Sequence, residues 1–453
     1  MPDQVDNKKR IKIIQCLVYY LPNRIGGIEV YVHSLNKNLL QKGYDIKVLV
    51  PDYPDEKQYP NEYDGVPIIT YTEYLNTTKG EFQGIIPGKG LPAFKEMLSK
   101  EKPDIVHFHQ LTSSNGISLF HLEAAKELGI KVIYTNHLVG LTCLTSNMIY
   151  RDREICDGLM DVVKCAVCDL KKHNISEPVS KVAVHTGRVV SAIMPALNKV
   201  QAKPVQLLLY SNLVIEKRRK VETLMKLADR FIVIADWFYK VLQRNGFNMG
   251  NTRLISQGLP LTDNNAFTEN RVREVDEPLR VVFVGRIYPD KGLHILLKAI
   301  AALPSHQFTV DIYGQVTDQS YFEMCRKLYD EKEQVTYHGH INSTAIVNEL
   351  HKYDVLVLPS MIAEMAPLVI REAFAAGILV IGSDIGGISE VIQDGYNGFL
   401  YNMGDFAKLG SILNLLINDQ ELLTKLKSNI VPPPTFNVVS DQVETEYLAV
   451  LQS

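Results

Sequence analysis

Glu364 and Glu372 stand eight residues apart in the stretch Pro359 to Leu400. Val355–Leu358 before them is a short apolar run that reads as a buried strand, and a helix is expected from Leu368 to Ala376. Glu364 then falls in the loop at the strand's carboxyl end, and Glu372 about one turn into the helix. Pro367 suits the helix start, where its missing N–H costs nothing. The backbone N–H groups of Leu368 and Val369 are left free, and the positive end of the helix makes an anion site suited to phosphate. Two carboxylates beside it accept hydrogen bonds from hydroxyls. A ligand with both phosphates and sugar hydroxyls is a nucleotide sugar. Taken alone, a glutamate near a helix start is also what a solvated helix favours. Arg286 and Lys291 follow the apolar run Arg280–Val284 and precede Gly292 and a helical pattern. Surface charge is the ordinary fate of such side chains. The order strand, Gly285, Arg286, loop, Lys291, Gly292, helix points instead to a diphosphate clamp, with arginine as the forked donor and lysine as the point charge.

Two other groups of residues invite chemistry. Cys143, Cys156, Cys165 and Cys168 follow C-x12-C-x8-C-x2-C, and a C-x2-C pair is half of a tetrahedral zinc site. Four thiolates here suit a structural zinc pinning an insert. Free thiols and disulfides are the other readings. The run Lys217-Arg218-Arg219-Lys220 reads either as a solvated helix face or as a contact for a phosphate-bearing or lipid-linked acceptor or an anionic membrane surface.

The elements that must position these residues alternate between strand and helix. Strand patterns at Ile11–Leu17, Ile46–Val50, Asp104–His109 and Lys131–His137 interleave with helical patterns after Gly26-Gly27 and over Ser118–Leu128. From Leu138 to about Leu227 the rhythm breaks. It returns with Arg230–Ala235, Phe238–Arg244 and Arg253–Gln257. A second series starts after the polar segment 262–278 and runs through Arg280–Val284, Leu293–Ala301, Phe308–Tyr313, Val335–His338, Val355–Leu358, Leu368–Ala376 and Leu379–Gly382. Such alternation predicts parallel sheets covered by helices. Two tandem doubly wound Rossmann-like domains are expected, with the site in the cleft between them. The first covers 1–265 with an insert at about 138–227, and the second covers 266–435. Pro432-Pro433-Pro434 then interrupts a helical region. The last segment, 436–453, is expected to be a helix packing back toward the first domain.

The bulk composition narrows the class. The 453 residues are 46% hydrophobic and 22% charged with a net charge of -3, which gives no reason to expect nucleic-acid binding. No apolar h-region follows the polar start, and no apolar run approaches the ~18–20 residues that span a bilayer. The expectation is a cytoplasmic protein, with peripheral contact at the inner face of a membrane through Lys217–Lys220 left open. No D-x-D pair occurs, so a metal-bridged diphosphate is not indicated.

The sequence resembles the retaining GT-B glycosyltransferases of the family 4 type. The resemblance is carried by G-G-I-E-V-Y-V-H-S-L from Gly26, K-P-D-I-V-H-F-H from Lys102, T-N-H from Thr135, A-D-R-F-I-V-I-A from Ala228, V-G-R-I-Y-P-D-K-G from Val284, V-T-Y-H-G from Val335, and the Glu364–Leu400 stretch. It covers nearly the whole chain. It implies a retaining hexosyl transfer from a nucleotide-diphosphate sugar with no catalytic cofactor. Glu372 would bind the donor ribose, Glu364 the hydroxyls of the donor sugar, and Arg286 and Lys291 the diphosphate beside the Pro367–Val369 helix start. Gly26 and Gly27 would form a loop close to the donor phosphates, where glycine lets backbone approach a ligand. His137 would be the active-site histidine, with His107 and His109 mostly structural. Two positions depart from the family pattern: Leu379, where proline is usual, and Met365, where glycine often follows the glutamate. An epimerase or sugar phosphorylase on the same scaffold, or a non-catalytic nucleotide-sugar binder, are the competing readings. The sugar, base and acceptor are not legible.

Overall fold

The computed structural model describes residues 10–453 apart from 55, 75–80, 82–85, 112–115, 194–208, 260–272, 275–276, 330–332 and 342–344. The chain divides into two compact units, 1–256 with 436–453, and 257–435. The division falls at Ser256/Gln257 rather than at 265/266. Gln257 is already tied into the second unit, because its carbonyl accepts from Arg371 Nε at 2.7 Å and Leu259 N–H donates to the Pro434 carbonyl at 2.8 Å. The polar segment 262–278 lies largely outside the described residues.

The first unit holds an eight-stranded sheet. Its strands are β1 (Lys12–Cys16), β2 (Asp45–Asp52), β3 (Glu62–Tyr63), β4 (Val66–Thr72), β5 (Ile105–Phe108), β6 (Lys131–Asn136) and, after a small separate hairpin of β7 (Ile149–Tyr150) and β8 (Glu154–Ile155), β9 (Arg230–Val233) and β10 (Thr252–Leu254). The order is β10-β9-β6-β5-β1-β2-β4-β3. All pairs are parallel except the β3–β4 edge. That edge hairpin was not read from the sequence, although Asp64-Gly65 is a hairpin-turn signal. Both residues take positive φ, 49° and 77°, as such two-residue turns require. Strand order reverses between β1 and β5, which makes their carboxyl ends the switch point of this sheet.

Residues 138–227, expected as an irregular insert, contain the helices Val162–Asp169, Glu177–Ile193 and Ser211–Leu227. The last is a crossover helix leading into β9, burying Val214, Val221, Leu224 and Met225 at helical spacing. All three helices meet in a satellite core of Ala166, Val167, Leu170, Val184, Tyr210 and Val214. The closing helix, Phe436–Gln452, buries Phe436, Val439, Val443, Tyr447 and Val450 in the first unit. Lys42 pairs with its Asp441 and Glu444, and Tyr44 donates to Glu444 at 2.8 Å.

The second unit is a six-stranded parallel sheet of β11 (Leu279–Val284), β12 (Phe308–Tyr313), β13 (Val335–Gly339), β14 (Val355–Leu358), β15 (Leu379–Ser383) and β16 (Gly398–Tyr401). Its order is β13-β12-β11-β14-β15-β16, the doubly wound dinucleotide-fold arrangement. The central strands are apolar throughout, as sheets covered on both faces require. Leu379 is fully buried at the start of β15, so the departure from proline leaves an ordinary strand residue. The switch point lies between β11 and β14.

Candidate functional site

The second unit brings four of the expected residues to that switch point. Arg286 and Lys291 lie in the loop after β11, and Glu364 in the loop after β14. Lys291 Nζ donates to Glu364 Oε1 at 2.5 Å, and Ser360 Oγ donates to the same oxygen at 2.8 Å. Burial pushes the Glu364 carboxyl up, but Lys291, Ser360 and the nearby Arg286 charge outweigh it and hold it below the usual range. Glu364 is therefore an anion with one oxygen engaged. Arg286 is exposed beside it. The loops are locked together by backbone: Met361 N–H donates to the Asp290 carbonyl at 2.8 Å, and Gly387 N–H to the Glu364 carbonyl at 2.8 Å. Met365 is 7% exposed, so it turns into the interior and does not open toward solvent.

The helix Leu368–Ala375 starts as the sequence predicts. Pro367 is its N-cap with φ -65°, and Ile370 N–H closes back on the Pro367 carbonyl at 3.3 Å. The N–H groups of Leu368 and Val369 find no acceptor among the described residues. Glu372 projects from the next turn and is 7% exposed. Its carboxyl makes no ion pair among the described residues, and burial raises it to about 8. Near neutral pH it is largely protonated, so it both donates to and accepts from hydroxyls. A buried carboxyl without a partner costs stability, and such costs concentrate at functional sites.

In the first unit the glycine pair opens a helix. Gly26 is the N-cap of the helix Gly27–Gln41, and the Glu29 carboxyl folds over it: a Cβ on Gly26 would stand 2.6 Å from Glu29 Oε2. Glu29 is buried, which pushes its carboxyl up.

His137 follows β6 and joins a buried chain of polar groups that the sequence did not reveal. His109 Nε2 lies 2.7 Å from Gln15 Oε1, and His109 Nδ1 lies 3.1 Å from His137 Nε2. Gln15 Nε2 donates to Tyr447 OH at 3.1 Å, and Tyr447 OH lies 2.7 Å from His107 Nδ1. Burial lowers all three histidines, His137 to about 3, so they are neutral. A neutral ring has one donor and one acceptor. With Gln15 Oε1 accepting, His109 must donate through Nε2 and accept through Nδ1. His137 then donates through Nε2 and keeps Nδ1 as an acceptor. Tyr31 packs edge-on against His137 with centroids 4.8 Å apart and fixes the ring plane. His107 and His109 thus set a tautomer as well as filling the core. Tyr447 came into the chain only by folding of the C-terminal helix.

This cluster makes stability fall with acid. A histidine lowered in the fold binds its proton in the unfolded state first, so stability is full above about pH 6.5 and declines as pH falls toward the folded value. His107, His109, His121 and His137 all act in this direction. Each contributes up to about 1.4 kcal/mol per pH unit. Glu372, Glu29 and Glu73, whose carboxyls are raised, act in the opposite direction. His33 and His294 are lowered by burial as well and Glu123 is raised, so six histidines outweigh four carboxyls among the described residues and the melting temperature should drop between pH 6.5 and 5. A flat profile there would contradict neutral burial of the histidines.

The four cysteines of the insert come together around one small pocket of about 20 Å³. All are free thiols, so the disulfide reading fails. Among the described residues, no group of three or more His, Cys, Asp or Glu side chains is disposed to hold a metal ion. The run Lys217–Lys220 divides. Arg218 lies over the Phe247 ring and donates to the Asn245 carbonyl at 2.7 Å, and Arg219 pairs with Glu216 at 2.6 Å. Lys217 and Lys220 turn into a cavity. The run is therefore no continuous basic face. No helix among the described residues is long and apolar enough to cross a membrane.

Comparison with known proteins fits both halves. Residues 265–430 match the family described as Glycosyl transferases group 1, and residues 25–155 match Glycosyltransferase Family 4. The chain belongs to these glycosyltransferases. It is 33% identical over 146 residues to an uncharacterized protein of the cps region of Klebsiella pneumoniae, covering 32% of this chain and 38% of that one. It is 33% identical over 147 residues to a glycogen synthase of Mycobacterium tuberculosis, covering 31% and 34%. The chain thus matches little more than a third of the length of these relatives. The solved sucrose-phosphate synthase of Thermosynechococcus elongatus aligns with 98% of this glycosyltransferase and 100% of itself, at TM-score 0.67 and 19% identity. Anabaena HepE, solved in complex with UDP-glucose, aligns with 98% of this chain and 99% of itself, at TM-score 0.57 and 17% identity. These likenesses establish the GT-B fold.

Proposed function

We propose that this glycosyltransferase moves a sugar, with retention at the anomeric carbon and without a catalytic metal, from a nucleoside-diphosphate sugar to an acceptor hydroxyl. The carrying observation is the β11/β14 switch point, where two cations, two helix N–H groups with no acceptor among the described residues and two carboxyls of opposite protonation stand together. Arg286, Lys291 and the Leu368–Val369 end of the helix stabilise the charge that develops on the departing diphosphate. Glu364, ionised, accepts from hydroxyls of the transferred sugar. Glu372, largely protonated, takes the ribose. No protein nucleophile is needed if the acceptor attacks from the face the leaving group vacates and a departing phosphate oxygen takes its proton. His137 is too weak a base to remain protonated near neutrality. Its free Nδ1 serves as a fixed acceptor for a sugar hydroxyl. An epimerase would need no acceptor, and product analysis with a labelled donor separates the two.

The test is a pair of variants. Glu372→Ala should weaken binding of free nucleoside diphosphate about tenfold while leaving the melting temperature unchanged or higher, because an unpaired buried carboxyl is removed. Glu364→Ala should leave nucleotide affinity unchanged or tighter, since it frees Lys291, and should lower transfer. Equal losses of nucleotide affinity in both would refute the division of roles. Thermal shift with UDP-, GDP- and ADP-sugars identifies the base, since a donor at 100 times its Kd adds about 2.7 kcal/mol to stability.

A structural zinc in the insert belongs to the same reading. Its support is that Cys143, Cys156, Cys165 and Cys168 share one pocket, with the N–H groups of Gly158 and Arg151 directed at the Cys156 and Cys168 sulfurs. Burial raises the Cys156, Cys165 and Cys168 thiols and these bonds offset only part of that, so the bound cation itself would have to stabilise the thiolates. Binding requires the sulfurs to draw inward. Protein purified under reducing conditions should carry about one zinc per chain. Metal-free protein with four alkylatable thiols would remove the zinc and leave the donor site untouched.

A further inference from the structure

The first unit contains a cavity of about 270 Å³ that the donor chemistry does not use. It opens where the chain leaves β5 and β6, and the crossover helix Ser211–Leu227 covers it. Most of its wall is apolar, with Leu119, Leu138 and Leu224 among the lining residues. Into this wall the helix projects Lys217 and Lys220, one turn apart on the same face. Lys217 makes no ion pair among the described residues, and burial lowers its ammonium. Lys220 is lowered by burial as well. Two like charges at helical spacing, half-buried against an apolar wall, destabilise an empty protein. A solvated orientation is open on this helix, since Arg219 takes it.

A second observation lies across the cavity. Asn136, the last residue of β6, is fully buried and lines the same space. Its side-chain nitrogen is shielded from solvent and has no hydrogen-bond partner among the described residues. A buried donor without an acceptor is rare and marks a missing group. Two ammoniums and an amide donor around one apolar-walled space ask for a compact oxyanion attached to a less polar body. Asn136 and Leu138 flank His137 in the chain, so the space lies one peptide unit from the histidine assigned to the sugar.

We propose that Lys217 and Lys220, with Asn136, hold the phosphate of a phosphate-bearing acceptor. This rests on the reading of the chain as a sugar transferase and names its acceptor class. The phosphate accepts charge-assisted hydrogen bonds from both ammoniums, and the apolar wall takes the body that carries it.

The test uses the full chain and two probes, glucose 1-phosphate in buffer and farnesyl phosphate in detergent micelles, with binding followed by calorimetry. At least one should bind. Lys217→Gln with Lys220→Gln should lose about tenfold to a hundredfold in affinity, the range for removing charged hydrogen-bond partners. Arg286→Ala with Lys291→Ala should keep it, which separates this site from the donor site and leaves the donor reading to its own variants. Binding of glucose 1-phosphate indicates a soluble acceptor, and binding of farnesyl phosphate alone a lipid-borne one. Without ligand, Lys217→Met should raise the melting temperature, whereas a lysine that merely supports the fold would lower it. Absence of binding by both probes at millimolar concentration, or equal affinity in the lysine variant, overturns the proposal.

Discussion

Replacing Arg286 or Lys291 with alanine should lower turnover by about 10²–10³-fold, the scale for losing one preorganised group that faces developing charge. The leaving diphosphate gains negative charge as the glycosidic bond breaks, and these are the two cations of the β11 loop. The two variants should differ in the ground state. Lys291 holds Glu364 at 2.5 Å before any donor arrives. Its loss leaves a carboxylate with only Ser360 and the Arg286 charge to offset burial, so the Glu364 carboxyl rises and the pH profile of turnover shifts upward. Arg286 is exposed and makes no such bond, so its loss should lower turnover with little change in that profile. Steady-state rates across pH 5.5 to 8.5 test both statements. Wild-type turnover in both variants would sink the assignment of the diphosphate site.

Gly292→Ala should disable the same site without touching a charge. Gly292 has φ 70°, and a Cβ there would stand 1.8 Å from the Pro359 carbonyl oxygen. That oxygen is backbone at the end of β14 and cannot swing aside. The β11 loop would have to lift from β14 and break the Met361 to Asp290 hydrogen bond. Lys291, one residue away, would leave Glu364. A cost of about 3 kcal/mol or more is expected, together with loss of nucleotide binding. Gly395 supplies the control in the same unit: its φ is 69°, but nothing lies within 4 Å of its Cβ position. Gly395→Ala should cost only the left-handed penalty of about 1–2 kcal/mol and keep nucleotide affinity. Similar losses in the two variants would show that conformation and not overlap is at work.

The donor half was legible because its signals are local. Strand, glycine, cation and helix follow each other within a dozen residues around Arg286, and Glu364, Pro367 and Glu372 lie on one strand–loop–helix unit. Short-range periodicity and capping chemistry determine such units, and the second unit repeats them along the chain. Gly26 was legible as a helix start, but the Glu29 carboxyl lying over it was not, because side-chain direction within a first turn is settled by packing. The insert's helices went unread although its composition is no more polar than the rest of the chain, and the Asp64-Gly65 hairpin was there to be read.

What the sequence determined by itself is the order of elements, the parallel sheets, and the residue types that face a diphosphate and hydroxyls. What only the tertiary structure decided are the relations between distant segments. Lys291 and Glu364 are 73 residues apart, and Gln15 and Tyr447 are 432 apart. The pairing that holds Glu364 ionised, the tautomer of His137, the convergence of four cysteines, and the turning of Lys217 and Lys220 into a cavity all depend on which surfaces meet. Charge state and hydrogen-bond direction follow from burial and from partners across the fold, and neither is a property of the local chain.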